Sequence, residues 1–116
     1  LKILVADDEK RFANLLWDFL KLKGFNVEAA FDGQEALDLI KKRNYDLVVL
    51  DFKMPELTGL EIIKYAKKLG INMKVIVLSG QPDIDASYAT FLGADEFIRK
   101  PVRFEVIEKV IKRLSA

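Results

Sequence analysis

Three carboxylates, a hydroxyl and an ammonium follow directly on short apolar runs in this chain. Asp7 and Asp8 come after Ile3-Leu4-Val5-Ala6, and Asp51 after Leu47-Val48-Val49-Leu50. Ser79 comes after Val75-Ile76-Val77-Leu78, and Lys100 after Phe97-Ile98-Arg99. If these runs are neighbouring parallel strands, the groups converge at the edge of one sheet where open α/β folds build their ligand and catalytic sites. Carboxylates brought together repel one another, and a hard divalent cation relieves that repulsion. Oxygen ligands alone suit magnesium, with manganese as the alternative. Asp51 is the candidate nucleophile, since a carboxylate can accept a phosphoryl group once its oxygens are neutralised by a metal. Lys100 would bring a second positive charge, and Ser79 a hydrogen bond, to the same oxygens.

Each residue also has a plainer reading. An Asp pair ahead of Glu9 serves as a helix cap and a favourable charge on the helix dipole. Ser79 alone is a strand terminator. Pro101 suits a helix start, although X-Pro is also the bond type that adopts cis, and a cis bond here would aim the Lys100 ammonium at the site.

Those groups need a scaffold, and the chain supplies one. Its 116 residues fit one domain, 1–116, able to bury a real core, and 51% apolar with 32% charged residues is a globular composition. The net charge of +1 gives no bulk pull toward nucleic acid or a membrane surface. No apolar stretch approaches the ~20 residues of a membrane span, no signal-peptide pattern opens the chain, and the expected location is cytoplasmic. With no cysteine, disulfides and thiolate chemistry are excluded. With no histidine, zinc hydrolysis on imidazole is excluded, and phosphohistidine chemistry would have to come from a partner. The chain opens directly in a strand at Leu1, as a piece trimmed from a longer chain would.

The hydrophobic pattern alternates short β-type runs with helical periodicity. Strands are expected at Lys2 to Ala6, Asn26 to Phe31, Asp46 to Leu50, Lys74 to Leu78 and Glu96 to Ile98. Helices are expected at Glu9 to Lys23, Glu35 to Arg43, Leu57 to Leu69, a weakly periodic Ile84 to Leu92, and Arg103 to Leu114. Apolar stripes are read as Phe12, Leu15, Leu16, Phe19 and Leu20 on the first helix, and Leu60, Ile63, Ala66 and Leu69 on the third. On the last helix the stripe is Val106, Ile107, Val110, Ile111 and Leu114. Gly24, Gly70 and Gly93 are placed to end helices, and Asp32-Gly33 to form a turn. Five strands alternating with five helices give a doubly wound, flavodoxin-like α/β fold with a parallel sheet in the order 2-1-3-4-5.

The chain resembles a response-regulator receiver domain of the chemotaxis-regulator type along essentially its whole length. The carriers are Val5-Ala6-Asp7-Asp8-Glu9, Asp46-Leu47-Val48-Val49-Leu50-Asp51 and Met54-Pro55-Glu56-Leu57-Thr58-Gly59. Leu78-Ser79-Gly80, Gly93-Ala94-Asp95 and Phe97-Ile98-Arg99-Lys100-Pro101 complete them. The resemblance implies a phosphoacceptor of two-component signalling rather than a conventional enzyme, with Asp51 receiving a phosphoryl group from a sensor histidine kinase or phosphotransfer protein. It implies that Asp8, Asp51 and the Lys53 main-chain carbonyl ligate Mg2+, that Asp7 acts through water, and that Ser79 and Lys100 contact the phosphoryl oxygens. Phe97 matches the family's switch aromatic, which turns inward as Ser79 is drawn toward the phosphate and alters the surface around the fourth helix, fifth strand and fifth helix; an ordinary core aromatic is the plainer reading. Lys53 and Gln81, each two residues past a site residue, match positions that flank the attacking water and tune the phosphoryl lifetime. Ser79 stands where threonine is commoner, and Phe97 where tyrosine is.

By the same resemblance a kinase docks on Arg11, Phe12, Leu15 and Val102, although Phe12 and Leu15 also fit a core stripe. Trp17 lies off that stripe, as a contact residue or partly packed on a neighbouring helix. A downstream effector or output domain is implied, with a monomer or a phosphorylation-dependent dimer as the active form. Lys109, Lys112 and Arg113 read as a solvated face rather than a nucleic-acid patch. The final helix lacks the arginine-rich character of winged-helix regulators. Three other classes are weighed. An aspartate-nucleophile phosphatase needs an acid two residues after the nucleophile, where Lys53 stands. In a nucleotide or flavin binder, Asp7-Asp8-Glu9 would repel an unaccompanied phosphate. An inert receiver-like interaction module would have lost the acceptor, the acids or the lysine, and all are present.

Overall fold

A computed structural model describes residues 1–116, apart from the side chain of Phe91. Strands β1 (Lys2–Ala6), β2 (Asn26–Ala30), β3 (Leu47–Asp51), β4 (Lys74–Ser79) and β5 (Glu96–Arg99) alternate with five helices. These are α1 (Lys10–Leu22), α2 (Gly33–Lys42), α3 (Gly59–Lys68), α4 (Ala86–Leu92) and α5 (Phe104–Ser115). All four strand pairs are parallel, and the order is β2-β1-β3-β4-β5, as the alternation predicts.

Side chains alternate across the sheet, so each central strand feeds two cores. Leu4, Ala6, Val48, Leu50, Val75 and Val77 face α2, α3 and α4, where they meet Ala36, Ile40, Ile62, Ile63 and Ala89. Ile3, Val5, Leu47, Val49, Ile76 and Leu78 face α1 and α5, against Ala13, Leu16, Leu20, Ile107 and Ile111. Every residue of β3 is buried, which is why its run is apolar without interruption.

Local chemistry sets the helix ends. Thr58 and Glu61 form a reciprocal capping box at α3, and the Asp32 and Asp85 carboxylates accept the Glu35 and Tyr88 amide N–H groups at α2 and α4. Gly93 ends α4 at φ 109°, in the left-handed region.

The packing corrects several expectations. Gly33 is the first residue of α2, not half of a turn, and a Cβ there would lie 2.1 Å from the Leu57 carbonyl oxygen. The helix thus abuts the β3–α3 loop at a contact only glycine permits. The α3 helix begins at Gly59, two residues later than the apolar pattern suggests, because Thr58 caps it. Its buried face is Gly59, Ile62, Ile63 and Ala66, whereas Leu60 is half-buried and Leu69 is exposed. Leu15 on α1 and Val106 on α5 are exposed too. In each helix more apolar residues exist than one stripe can seat, and the phase is set by those over the sheet. Trp17 is half-buried against the core beneath α1, and its indole N–H donates to the Val27 carbonyl of the edge strand β2 at 2.9 Å.

Candidate functional site

The strand order reverses between β1 and β3, so their carboxyl ends flank a crevice. The register pairs Ala6 with Leu50, Asp51 with Leu78 and Ser79 with Arg99, which brings the residues after four strands to one edge. Asp7 is nearly sealed at 1% exposure and divides its two oxygens between structure and site. Its Oδ1 accepts the Glu9 N–H at 2.9 Å at the entry to α1, and its Oδ2 accepts from the Lys100 Nζ at 2.9 Å. The capping reading does not hold, since the N-cap of α1 is Glu9 with no side-chain cap hydrogen bond, and the Asp7 bond is instead a local turn just before the helix.

Lys100 Nζ also lies 3.5 Å from Asp51 Oδ1, and 4.5 Å from the centre of the Phe12 ring. One ammonium thus touches two carboxylates and an aromatic face. Burial by itself would lower the Lys100 pKa, but the Asp7 hydrogen bond and the Asp51 charge raise it above the ordinary lysine value. The lysine stays charged. The Lys100–Pro101 peptide is cis.

Asp51 is buried at the end of β3. Burial, then the neighbouring Asp7 and Asp8 charges, push its carboxyl up to about 7 against the opposing pull of Lys100. One cation does not balance the cluster. Asp7, Asp8 and Asp51 each offer an oxygen, and these oxygens lie within 4.8 Å of one another. Two oxygens on opposite sides of an octahedral magnesium stand about 4 Å apart. The donor set is all oxygen, its charge is under-compensated and its spacing is close to what the ion needs. These residues fit a hard divalent cation.

Beside the acids opens a cleft of about 560 Å³ lined by Asp8, Asp51, Ser79 and Lys100, with Lys53, Met54, Pro55, Gly80 and Gln81 around its mouth. Ser79 is buried, and its Oγ accepts the Gln81 N–H at 3.0 Å, leaving the hydroxyl proton free to donate into the cleft. Lys53 is exposed and Gln81 half-buried, and both line the cleft with Asp51. Phe97 is half-buried on β5 and packs on the core beneath α4.

Of the residues expected to dock a partner, Phe12 and Val102 come together. With Glu9, Lys100, Pro101 and Phe104 they line a second groove of about 490 Å³ that shares Lys100 with the cleft. Arg11 and Leu15 are exposed on α1 but do not line it. The sequence reading passed over Arg99, which donates to the Gln81 carbonyl at 2.5 Å and the Ile84 carbonyl at 2.6 Å. It also passed over Phe52, whose ring lies 6.4 Å from that of Tyr88 on α4. An exposed arginine at the end of an edge strand carries no pattern that marks it. Phe52 could have been noticed from its place directly after Asp51.

A doubly wound parallel sheet with an acid cluster, a lysine and a hydroxyl at its switch point places the chain among the flavodoxin-like α/β proteins. The chain matches the response regulator receiver domain family over residues 3–112, and it belongs to that family. It is 34% identical over 102 residues to the cell cycle transcriptional regulator CtrA of Caulobacter vibrioides, covering 87% of this chain and 44% of that protein. It is 36% identical to the response regulator MprA of Mycolicibacterium vanbaalenii, covering 100% of this chain and 49% of that protein. The chain spans about half the length of these curated relatives. Among solved structures, the receiver domain of a Francisella response regulator superposes with a TM-score of 0.93 at 35% identity, covering 97% of this chain and 94% of that one. The response regulator TrrA of Thermotoga maritima, solved in complex with Mg(2+)-BeF, superposes with a TM-score of 0.87 at 34% identity, covering 97% of each chain.

Proposed function

We propose that residues 1–116 form one phosphoacceptor receiver unit of a two-component system, in which Asp51 takes a phosphoryl group from the phosphohistidine of a sensor kinase or phosphotransfer protein. The observation that carries this reading is the Lys100 ammonium set between Asp7 and Asp51, at 2.9 and 3.5 Å, with Asp8 converging on the same acids. In the transfer, an Asp51 carboxylate oxygen attacks phosphorus, a P–O bond forms, the P–N bond breaks, and the imidazole leaves with the bond's electron pair. Lys100 meets charge on the phosphoryl oxygens and Ser79 donates its hydroxyl proton to them. Asp8, Asp51 and the Lys53 carbonyl would hold Mg2+, or Mn2+ in its place, with Asp7 acting through water. A bound cation would neutralise the entering phosphoryl oxygens. Protons and cation compete for Asp51, since its carboxyl titrates at about 7.

The groove at Phe12 and Val102 suits a kinase or phosphotransfer partner because it opens beside the acceptor and shares Lys100 with it. Arg11 and Leu15 extend that surface along α1. Phosphorylation would draw Ser79 toward the phosphoryl group and Phe97 inward, changing the α4–β5–α5 face read by a downstream effector or output domain. Among the described residues no helix is long and apolar enough to cross a membrane, and the proposed chemistry belongs in the cytoplasm beside the kinase's catalytic domain.

Borohydride trapping tests the acceptor assignment. After incubation with acetyl phosphate and Mg2+, reduction should convert Asp51 to homoserine, located by peptide mass spectrometry. Homoserine at another acid would contradict the assignment.

A further inference from the structure

Arg99 is the last residue of the edge strand β5, and it lies on the same face as Phe97, two residues earlier. Its guanidinium carbon sits 5.1 Å from the centre of the Phe97 ring. From that platform one terminal nitrogen donates to the Gln81 carbonyl at 2.5 Å and the other to the Ile84 carbonyl at 2.6 Å. Both carbonyls belong to the β4–α4 segment, which carries Gln81 into the mouth of the cleft. The Gln81 N–H in turn donates to Ser79 Oγ at 3.0 Å. A continuous chain therefore runs from the Phe97 ring through Arg99 and Gln81 to the hydroxyl at the site.

We propose that Arg99 is a positioning residue for the phosphoryl site, holding the β4–α4 segment so that the Ser79 hydroxyl meets the phosphoryl group in a fixed geometry. This rests on the phosphoacceptor reading above. Two features make the contact more than a surface pairing. Arginine's planar fork satisfies two carbonyls at once, with less side-chain freedom lost per bond than two separate donors would need. Stacking on Phe97 restrains the fork before it binds. Phe97 has no polar atom of its own with which to hold the segment, so Arg99 supplies the hydrogen bonds that Phe97 cannot. The proposed metal ligands lie just after β1, at the end of β3 and in the loop after β3, and Arg99 bonds to none of them, so its effect should fall on the phosphoryl group and not on the cation.

The test is calorimetric titration with beryllium fluoride, which mimics the phosphoryl group, in the presence of Mg2+, alongside titration with Mg2+ alone. Arg99→Met should weaken beryllium fluoride binding about tenfold, the effect of no longer ordering a contact through hydrogen bonds from a charged donor. Its Mg2+ affinity should be unchanged. Arg99→Lys, which keeps the charge but can reach only one carbonyl well, should recover part of the loss. In a Ser79→Ala background Arg99→Met should cost little more, because the group it positions is gone. Equal loss in both backgrounds, or no loss in the wild-type background, would overturn the positioning role. Failure of the unsubstituted protein to bind Mg2+ with beryllium fluoride would instead overturn the phosphoacceptor reading beneath it.

Discussion

Lys100 and Asp7, 93 residues apart in the chain, form an ion pair of 2.9 Å in which the carboxylate is almost wholly shielded from water. The same ammonium reaches Asp51 at 3.5 Å, so one positive charge serves two buried acids, and Asp8 adds a third acid nearby. The site carries more negative charge than it neutralises. That imbalance suits it to a hard divalent cation and leaves Asp51 ready to be discharged by a ligand or a proton.

Stability should therefore vary with pH through Asp51. Its folded-state pKa is raised from 3.8 to about 7, so between these values the folded protein binds a proton that the unfolded chain does not. The resulting stability is fully present below pH ~4, declines as pH rises, and is gone above ~7. We predict that Asp51→Asn, measured by urea denaturation without divalent metal, is about 2–4 kcal/mol more stable than the unsubstituted protein at pH 8 and nearly equal to it at pH 4. Added Mg2+ should narrow the gap at pH 8 by stabilising the unsubstituted protein. A gap that does not change with pH would show that Asp51 is not the strained acid.

The lifetime of the phosphorylated protein should be set at the cleft mouth. Lys53 and Gln81 line the cleft together with Asp51. Lys53→Asn and Gln81→Ala are each expected to change the rate of phosphoryl loss several-fold, by altering how water approaches phosphorus, while both variants still accept the group. The decay of phosphorylated protein, followed by intact mass after donor removal, measures this. Unchanged rates in both variants would remove these residues from the mechanism.

Gly33 joins the scaffold to the site. A Cβ there would meet the Leu57 carbonyl oxygen at 2.1 Å and the Leu57 Cβ at 2.6 Å, both parts of the loop that follows Asp51. Gly33→Ala should destabilise the protein by roughly 1–3 kcal/mol, since backbone and not a flexible side chain must move. Gly24→Ala, where nothing lies within 4 Å, suffers only the strain of its φ of 91° and serves as the comparison. No measurable loss in Gly33→Ala would mean that the close approach at Leu57 is relieved at no cost.

How much of this was legible in the sequence follows from which interactions leave a local pattern. The uninterrupted run Leu47-Val48-Val49-Leu50 marks a strand covered on both faces, and the groups after such runs point to the site without any structure. The strand order and the convergence of Asp7, Asp8, Asp51, Ser79 and Lys100 were readable on that basis. Contacts between distant segments were not. Gly33 against Leu57 looks like an Asp-Gly turn until the two are seen together. Leu60, Leu69 and Leu15 are apolar at helical spacing yet lie off the buried face, because the sheet and not the helix selects the phase. Trp17 bonds to a strand carbonyl that no periodicity reveals. Arg99 reads as a solvated charge, and only its carbonyl partners in the β4–α4 segment give it a role.

The most direct test of the central claim is the intact mass of the protein after incubation with acetyl phosphate, with Mg2+ and with a chelator, beside Asp51→Asn. The account predicts a gain of one phosphoryl group only in the unsubstituted protein and only with Mg2+. An equal gain in Asp51→Asn, or no gain in either protein under any condition, would contradict it and leave the fold as a binding module.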